Sequence, residues 1–186
     1  MSLTAFLRQV IAMLDGCHVP HMLSGSVAST QYSVPRTTHD IDIVVQLVPE
    51  SLECVLSAVE AFGMYAPRSL AEDAVVHRGQ FNIIDSRTGW KVDVIVQRDR
   101  PFSRTEFDRR RPHQIDGVDL FIATPEDVIL SKLEWAKAGE SDRQLRDVSN
   151  ILDVSGSSLD MQYLARWAAE LGVADLLATV APGSSG

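Results

Sequence analysis

Leu3, Phe6, Leu7, Val10, Ile11, Met13 and Leu14 recur at close to the spacing of one buried helical face, so the chain opens on a helix over residues 2–14 that Gly16 stops. Residues 19–24 then predict a short strand that runs into Gly25-Ser26 and a second helical piece over 27–32, a strand, glycine turn, helix unit. A polar loop over 33–39, centred on Pro35, leads to Asp-Ile-Asp-Ile-Val-Val-Gln-Leu at 40–47, a β-branched strand with carboxylates at its start. Pro49 opens a helix carrying Leu52, Val55, Leu56, Val59 and Phe62, and Gly63 ends it. Strands are expected at 75–77, 81–84 and 91–97, the last two joined by residues 86–89. A charged stretch covers 98–112, and a hairpin over 114–123 turns at Asp116-Gly117. Thr124-Pro125-Glu126-Asp127 starts a run of helices at 127–138, 143–152, 160–171 and 173–180. The pattern predicts an α+β chain: a mixed sheet flanked by helices over 1–123, a helical bundle over 124–181, and a flexible tail at 182–186.

At 186 residues the chain is long enough to bury roughly 70% of its unfolded surface without a staple. Seventeen basic against twenty-five acidic residues give a net charge of −8, which excludes a broad basic face for gripping duplex nucleic acid. Any such contact is local, and residues 87–111, with eight basic and four acidic side chains, are where a phosphate-rich acceptor would meet the chain; a solvated charged loop is the plainer reading. No apolar run approaches the roughly 20 residues of a membrane span, and no basic region precedes an apolar core at the N-terminus, so a cytoplasmic protein without a membrane partner is expected. Cys17 and Cys54 lack metal-site spacing and are read as buried reduced thiols.

Asp40 and Asp42 are two apart on one strand, so their side chains share a face. Two carboxylates beside Ile41, Ile43, Val44 and Val45 are costly unless a cation compensates them. Gly25-Ser26 stands where helix N–H groups and the positive helix end favour a phosphate, with the Ser26 hydroxyl as a further donor. Asp93, in Lys91-Val92-Asp93-Val94-Ile95-Val96, supplies a third acid from another buried strand. Three such acids suit a pair of Mg²⁺ ions, or Mn²⁺, one activating an attacking hydroxyl and the other neutralising a triphosphate.

Leu23-Ser24-Gly25-Ser26, thirteen residues, then Asp40-Ile41-Asp42-Ile43, with Asp93 as third acid, resembles the DNA polymerase β-like nucleotidyltransferase superfamily. Arg36-Thr37-Thr38-His39-Asp40 looks like the Arg-x-Thr-x-Asp lead-in of small bacterial members, and Pro125-Glu126-Asp127, Lys132 and Arg146-Asp147 are similar to the helical part of AbiEii-type toxin nucleotidyltransferases. The resemblance implies a nucleotidyltransferase-like fold and catalytic, metal-holding Asp40, Asp42 and Asp93. It further implies nucleotide contacts from Gly25, Ser26, Arg36, Thr38, Lys132 and Asp147. Its implied partners are an NTP, an acceptor hydroxyl on RNA, such as tRNA, or on a protein, and a silencing antitoxin.

Two other enzyme classes fit less well. A sugar-nucleotide glycosyltransferase of the Asp-x-Asp type and an aspartate-nucleophile phosphatase both place their acids after the apolar strand, whereas here the apolar run follows them. A small-molecule acceptor of the aminoglycoside kind, and an inactive module that binds nucleotide or a partner, stay open at this stage.

Overall fold

The structure is a computed structural model that describes residues 2–34, 41–139 and 141–181. Asp40, Arg36 and Thr38, and the tail at 182–186, lie outside the described residues. Helix α1 (Leu3–Gly16) is capped by the Ser2 hydroxyl, which accepts from the Ala5 amide, and it buries the apolar stripe from Phe6 to Leu14. Strand β1 (His21–Ser24) passes directly into α2 (Gly25–Tyr32), and β2 (Ile41–Val45) is followed by α3 (Pro49–Ala61) with proline in its first turn. Next come α4 (Arg68–His77), the hairpin β3 (Gln80–Asp85) and β4 (Trp90–Val96), and α5 (Pro101–Asp108). A second hairpin, β5 (Arg111–Ile115) and β6 (Val118–Ile122), precedes α6 (Pro125–Ala138), α7 (Ser141–Ser155), α8 (Met161–Leu171) and α9 (Ala174–Val180).

Among the described residues six strands form one mixed sheet in the order β3-β4-β2-β1-β6-β5. Strand β2 pairs antiparallel to β1 and parallel to β4, while β1 also pairs parallel to β6. Ile41, Ile43 and Val45 of β2, Val92, Val94 and Val96 of β4, and Phe81 and Ile83 of β3 alternate onto one buried face. The helices after β6 join the same core: α6 packs on α2 and on α7, with Val128, Ile129, Leu130 and Leu133 of α6 against Val148, Ile151 and Leu152 of α7. This is the α+β architecture that the pattern led to, a mixed sheet flanked by helices and followed by a run of helices.

Three expectations are corrected. The strand at 75–77 is the end of α4, because Ala71, Ala74 and Val75 form the buried face of a helix and Val76 points to solvent at 71% exposure. The charged stretch at 98–112 contains α5 and starts β5; its helical period was hidden because two polar residues, Ser103 and Glu106, share the buried face with Phe102 and Phe107. Cys17 and Cys54 are not free thiols: they form a disulfide, with Cα atoms 5.8 Å apart, that ties the end of α1 to α3. Cys54 lies on the exposed side of its helix rather than among Leu52, Val55, Leu56 and Val59, and a separation of 37 residues carries no sign in the sequence that α1 and α3 pack together.

Candidate active site

Register places one polar row across four strands. Ser24 of β1 is opposite Asp42 of β2, Asp42 is opposite Asp93 of β4, and Asp93 is opposite Asn82 of β3. All four belong to the face opposite the buried Val/Ile face. The two carboxylates therefore project side by side from adjacent parallel strands, about 4.8 Å apart along the sheet. Asp93 accepts hydrogen bonds from the Asn82 carboxamide and from the Lys91 ammonium, whose Nζ lies 3.2 Å and 3.4 Å from its two oxygens.

The β1–α2 turn is built against Asp42. Gly25 has φ +62°, and a Cβ placed there would fall 1.8 Å from Asp42 Oδ2, so the position excludes any side chain on two grounds. The Ser26 amide reaches Asp42 Oδ2 at 3.4 Å, and Ser24, the α2 N-cap, makes no side-chain capping bond. The remaining first-turn amides of α2 thus point out beside the acid row without an intrahelical partner, as a helix N-terminus must leave them. The structure brings Gly25, Ser26, Asp42 and Asp93 together.

Lys132 and Asp147 belong to the helical layer, on α6 and α7. Both are buried, at 3% and 5% side-chain exposure, and Lys132 Nζ donates to Asp147 Oδ2 at 2.7 Å and to Gln144 Oε1 at 3.0 Å, an ion pair between α6 and α7. Asp127, another residue of the helical resemblance, is fully buried and accepts from Tyr163 at 2.5 Å, Thr124 at 2.6 Å and Arg109 at 3.1 Å. Burial pushes its carboxyl up, against those three donors. Arg109 also holds Glu126 at 3.1 Å and stacks over the Tyr163 ring at 3.9 Å, which binds the start of α6 to α5 and α8.

A cleft of about 630 Å³ adjoins the acid row, on the same face of the sheet. Its wall includes Ser24 from the row itself, and Val44 and Ile95, the next inward pair along β2 and β4 after Asp42 and Asp93. Across from the sheet stand Ser103 and Glu106 of α5 and Ser131, Glu134 and the half-exposed Trp135 of α6. Arg78, Arg98, Arg100 and Lys137 line it against Glu106 and Glu134, an excess of basic groups in a chain of net charge −8. Arg100 is committed to Glu134 through two bonds of 2.6 Å and 2.5 Å.

Most of the basic stretch at 87–111 is consumed by the fold. Arg87 holds Asp85 at 2.9 Å, Arg104 pairs with Asp99, Arg109 holds the start of α6, and Arg110 stacks on Phe107 and Phe121. Asn82 and Glu106 were not among the residues singled out from the sequence. Strand alternation gives a signal for Asn82, which is in phase with Asp93 across the hairpin; Glu106 gives none, since it reads as one more charge in a charged run.

Asp42 and Asp93 offer hard oxygen donors one strand apart, beside a turn whose missing Cβ leaves room for the carboxylate, and this donor set fits Mg²⁺ or Mn²⁺. Among the described residues no cluster of three or more metal-ligating side chains occurs, Asp40 being outside them. No helix among them is long and apolar enough to cross a membrane.

No protein-family model matches the chain, and no curated protein matches it. Solved structures do. The solution structure of the antibiotic-resistance factor ANT(2'')-Ia superposes with a TM-score of 0.60 at 13% identity, covering 92% of this chain and 94% of that one. The crystal structure of ANT(2'')-Ia in complex with adenylyl-2''-tobramycin gives 0.60 at 14% identity, covering 90% and 95%. An antigenic nucleotidyltransferase-like protein from Paracoccidioides brasiliensis gives 0.54 at 16% identity, covering 92% and 90%. The chain has the fold of nucleotidyltransferases over nearly its whole length.

Proposed function

We propose that this chain is a divalent-metal-dependent nucleotidyltransferase that moves a nucleoside monophosphate from an NTP to an acceptor hydroxyl and releases pyrophosphate. The observation that carries the reading is the register row: Asp42 and Asp93 side by side, with Gly25 and Ser26 turned against Asp42. On this reading Asp42 and Asp93, with Asp40, hold Mg²⁺. Bound there, the metal supplies charge neutralisation at the triphosphate and lowers the pKa of the attacking hydroxyl. Ser26 and the first-turn amides of α2 receive phosphate oxygens, and the glycine lets them approach. Arg36 and Thr38 belong to the nucleotide side on the strength of the resemblance. Asp93, whose carboxylate Asn82 fixes, would help hold the cation in place of its Lys91 contact and would take up the acceptor proton. Positioning and fixed charges then account for catalysis.

The acceptor is an RNA end. The basic lining of the cleft supports an anionic acceptor and disfavours a polycation such as an aminoglycoside, although ANT(2'')-Ia shares the fold. A toxin role with an antitoxin partner stands on the sequence resemblance at Lys132 and Asp147. Direct phosphate binding by Lys132 would share an ammonium that already donates to Asp147 and Gln144.

The test is to incubate the protein with each α-labelled NTP, Mg²⁺ and total cell extract, and follow where label goes. Label in RNA is expected. Asp42→Ala should lower transfer by at least about a hundredfold with an unchanged circular dichroism spectrum. Undiminished labelling by the folded variant overturns the metal role of Asp42.

A further inference from the structure

Every other buried carboxylate described above has a basic or amide partner: Asp85 has Arg87, Glu126 and Asp127 have Arg109, and Asp147 has Lys132. Glu106 has none. It is 6% exposed on α5, and among the described residues its single hydrogen bond comes from the Ser131 hydroxyl, 2.9 Å from Oε1. Its other oxygen makes no hydrogen bond to the described residues and is open to the cleft beside the acid row, which the side chain lines. The nearby donors are already engaged: Arg100 with Glu134 and Ser103, and the Gln97 amide with the Ser103 carbonyl. A mostly buried carboxyl with one serine donor loses hydration that an apolar residue would not need, and its open oxygen faces the cleft where a ligand can meet it.

Resting on the nucleotidyltransferase reading, we propose that Glu106 is the group that hydrogen-bonds the RNA acceptor in this cleft and so decides which acceptors are held there. A carboxyl that keeps its proton donates to a phosphate or base oxygen, and accepts from Ser131 at the same time. An ionised one repels the anion that Arg78, Arg98 and Lys137 attract. The surroundings favour the first form. Burial, and after it the charge of Asp127 at the start of α6, push the Glu106 carboxyl up to about 8, with Glu134 adding to the rise and Ser131 and Arg100 opposing it.

Binding tests this apart from transfer. Fluorescence anisotropy of labelled oligoadenylate on the full chain should show affinity falling about tenfold between pH 7 and pH 9, the fraction by which a group titrating near 8 loses its proton. Glu106→Gln, which keeps a donor at every pH, should bind as tightly at pH 9 as at pH 7. Glu106→Ala should bind weakly at both, with the affinity for ATP and Mg²⁺ unchanged in either variant. The same pH slope in the wild type and Glu106→Gln overturns the proposal, as does failure of the wild type to bind RNA, loss of ATP affinity in the variants, or label passing to protein or small molecules. The two readings fail separately: RNA bound with this pH signature but never labelled from any NTP defeats the transferase and leaves the Glu106 contact standing.

Discussion

A methyl group at Gly25 would collide with Asp42 Oδ2, so this glycine ties the turn to the acid it serves. Gly25→Ala should therefore lower transfer as severely as loss of Asp42 itself. Its left-handed backbone adds a destabilisation of about 1–2 kcal/mol, read as a drop in the midpoint of urea unfolding. Glu106 makes the opposite kind of prediction. Its carboxyl is held up to about 8 in the fold and is ordinary in the unfolded chain, so the folded state keeps a proton that the unfolded state has released. Stability contributed this way is present at low pH and is lost as pH rises from the unfolded value through about 8. Glu106→Gln has no such loss. Relative to the wild type it should gain on the order of a few kcal/mol between pH 5 and pH 8, measured by denaturant unfolding at both.

Between elements, the strongest constraint is the buried Lys132–Asp147 pair joining α6 to α7. Removing one member of such a pair strands a charge, and Lys132→Met should cost about 3–5 kcal/mol. Lys132→Met combined with Asp147→Leu should recover most of that loss, and thermal unfolding of the two variants decides it. A nucleotide role for Lys132 would instead leave the double variant stable but with a raised KM for the NTP. Lys132 also marks the limit of what the sequence could tell. A lysine on an amphipathic helix reads as solvent-facing unless the partner, fifteen residues on in another helix, is known to meet it. Asp42 and Asp93 were legible because strand alternation is local and both strands are flanked by β-branched residues. Glu106 was not, because the polar residues that give the cleft its chemistry are the same ones that erase the hydrophobic period of α5.

At the scale of the molecule, the site is a seam between a sheet and a helical layer, and both must be held for the cleft to keep its shape. The sheet side is anchored far from the chemistry by α1 and α3, and these are joined covalently through Cys17 and Cys54. Closing a loop over a separation of 37 residues removes chain entropy from the unfolded state worth about 4 kcal/mol in the loop-closure account. That is roughly a quarter or more of the ~5–15 kcal/mol stability of an ordinary domain. Cys17→Ser with Cys54→Ser, or dithiothreitol, should lower the melting temperature by roughly 10 °C. Thiol titration of the unfolded, unreduced protein should find no free cysteine. Because neither cysteine lines the cleft or the acid row, the transfer rate below the new melting temperature should be unchanged. A fall in rate without a fall in stability would mean that the α1–α3 tie positions the acids directly, through β2, which precedes α3 in the chain.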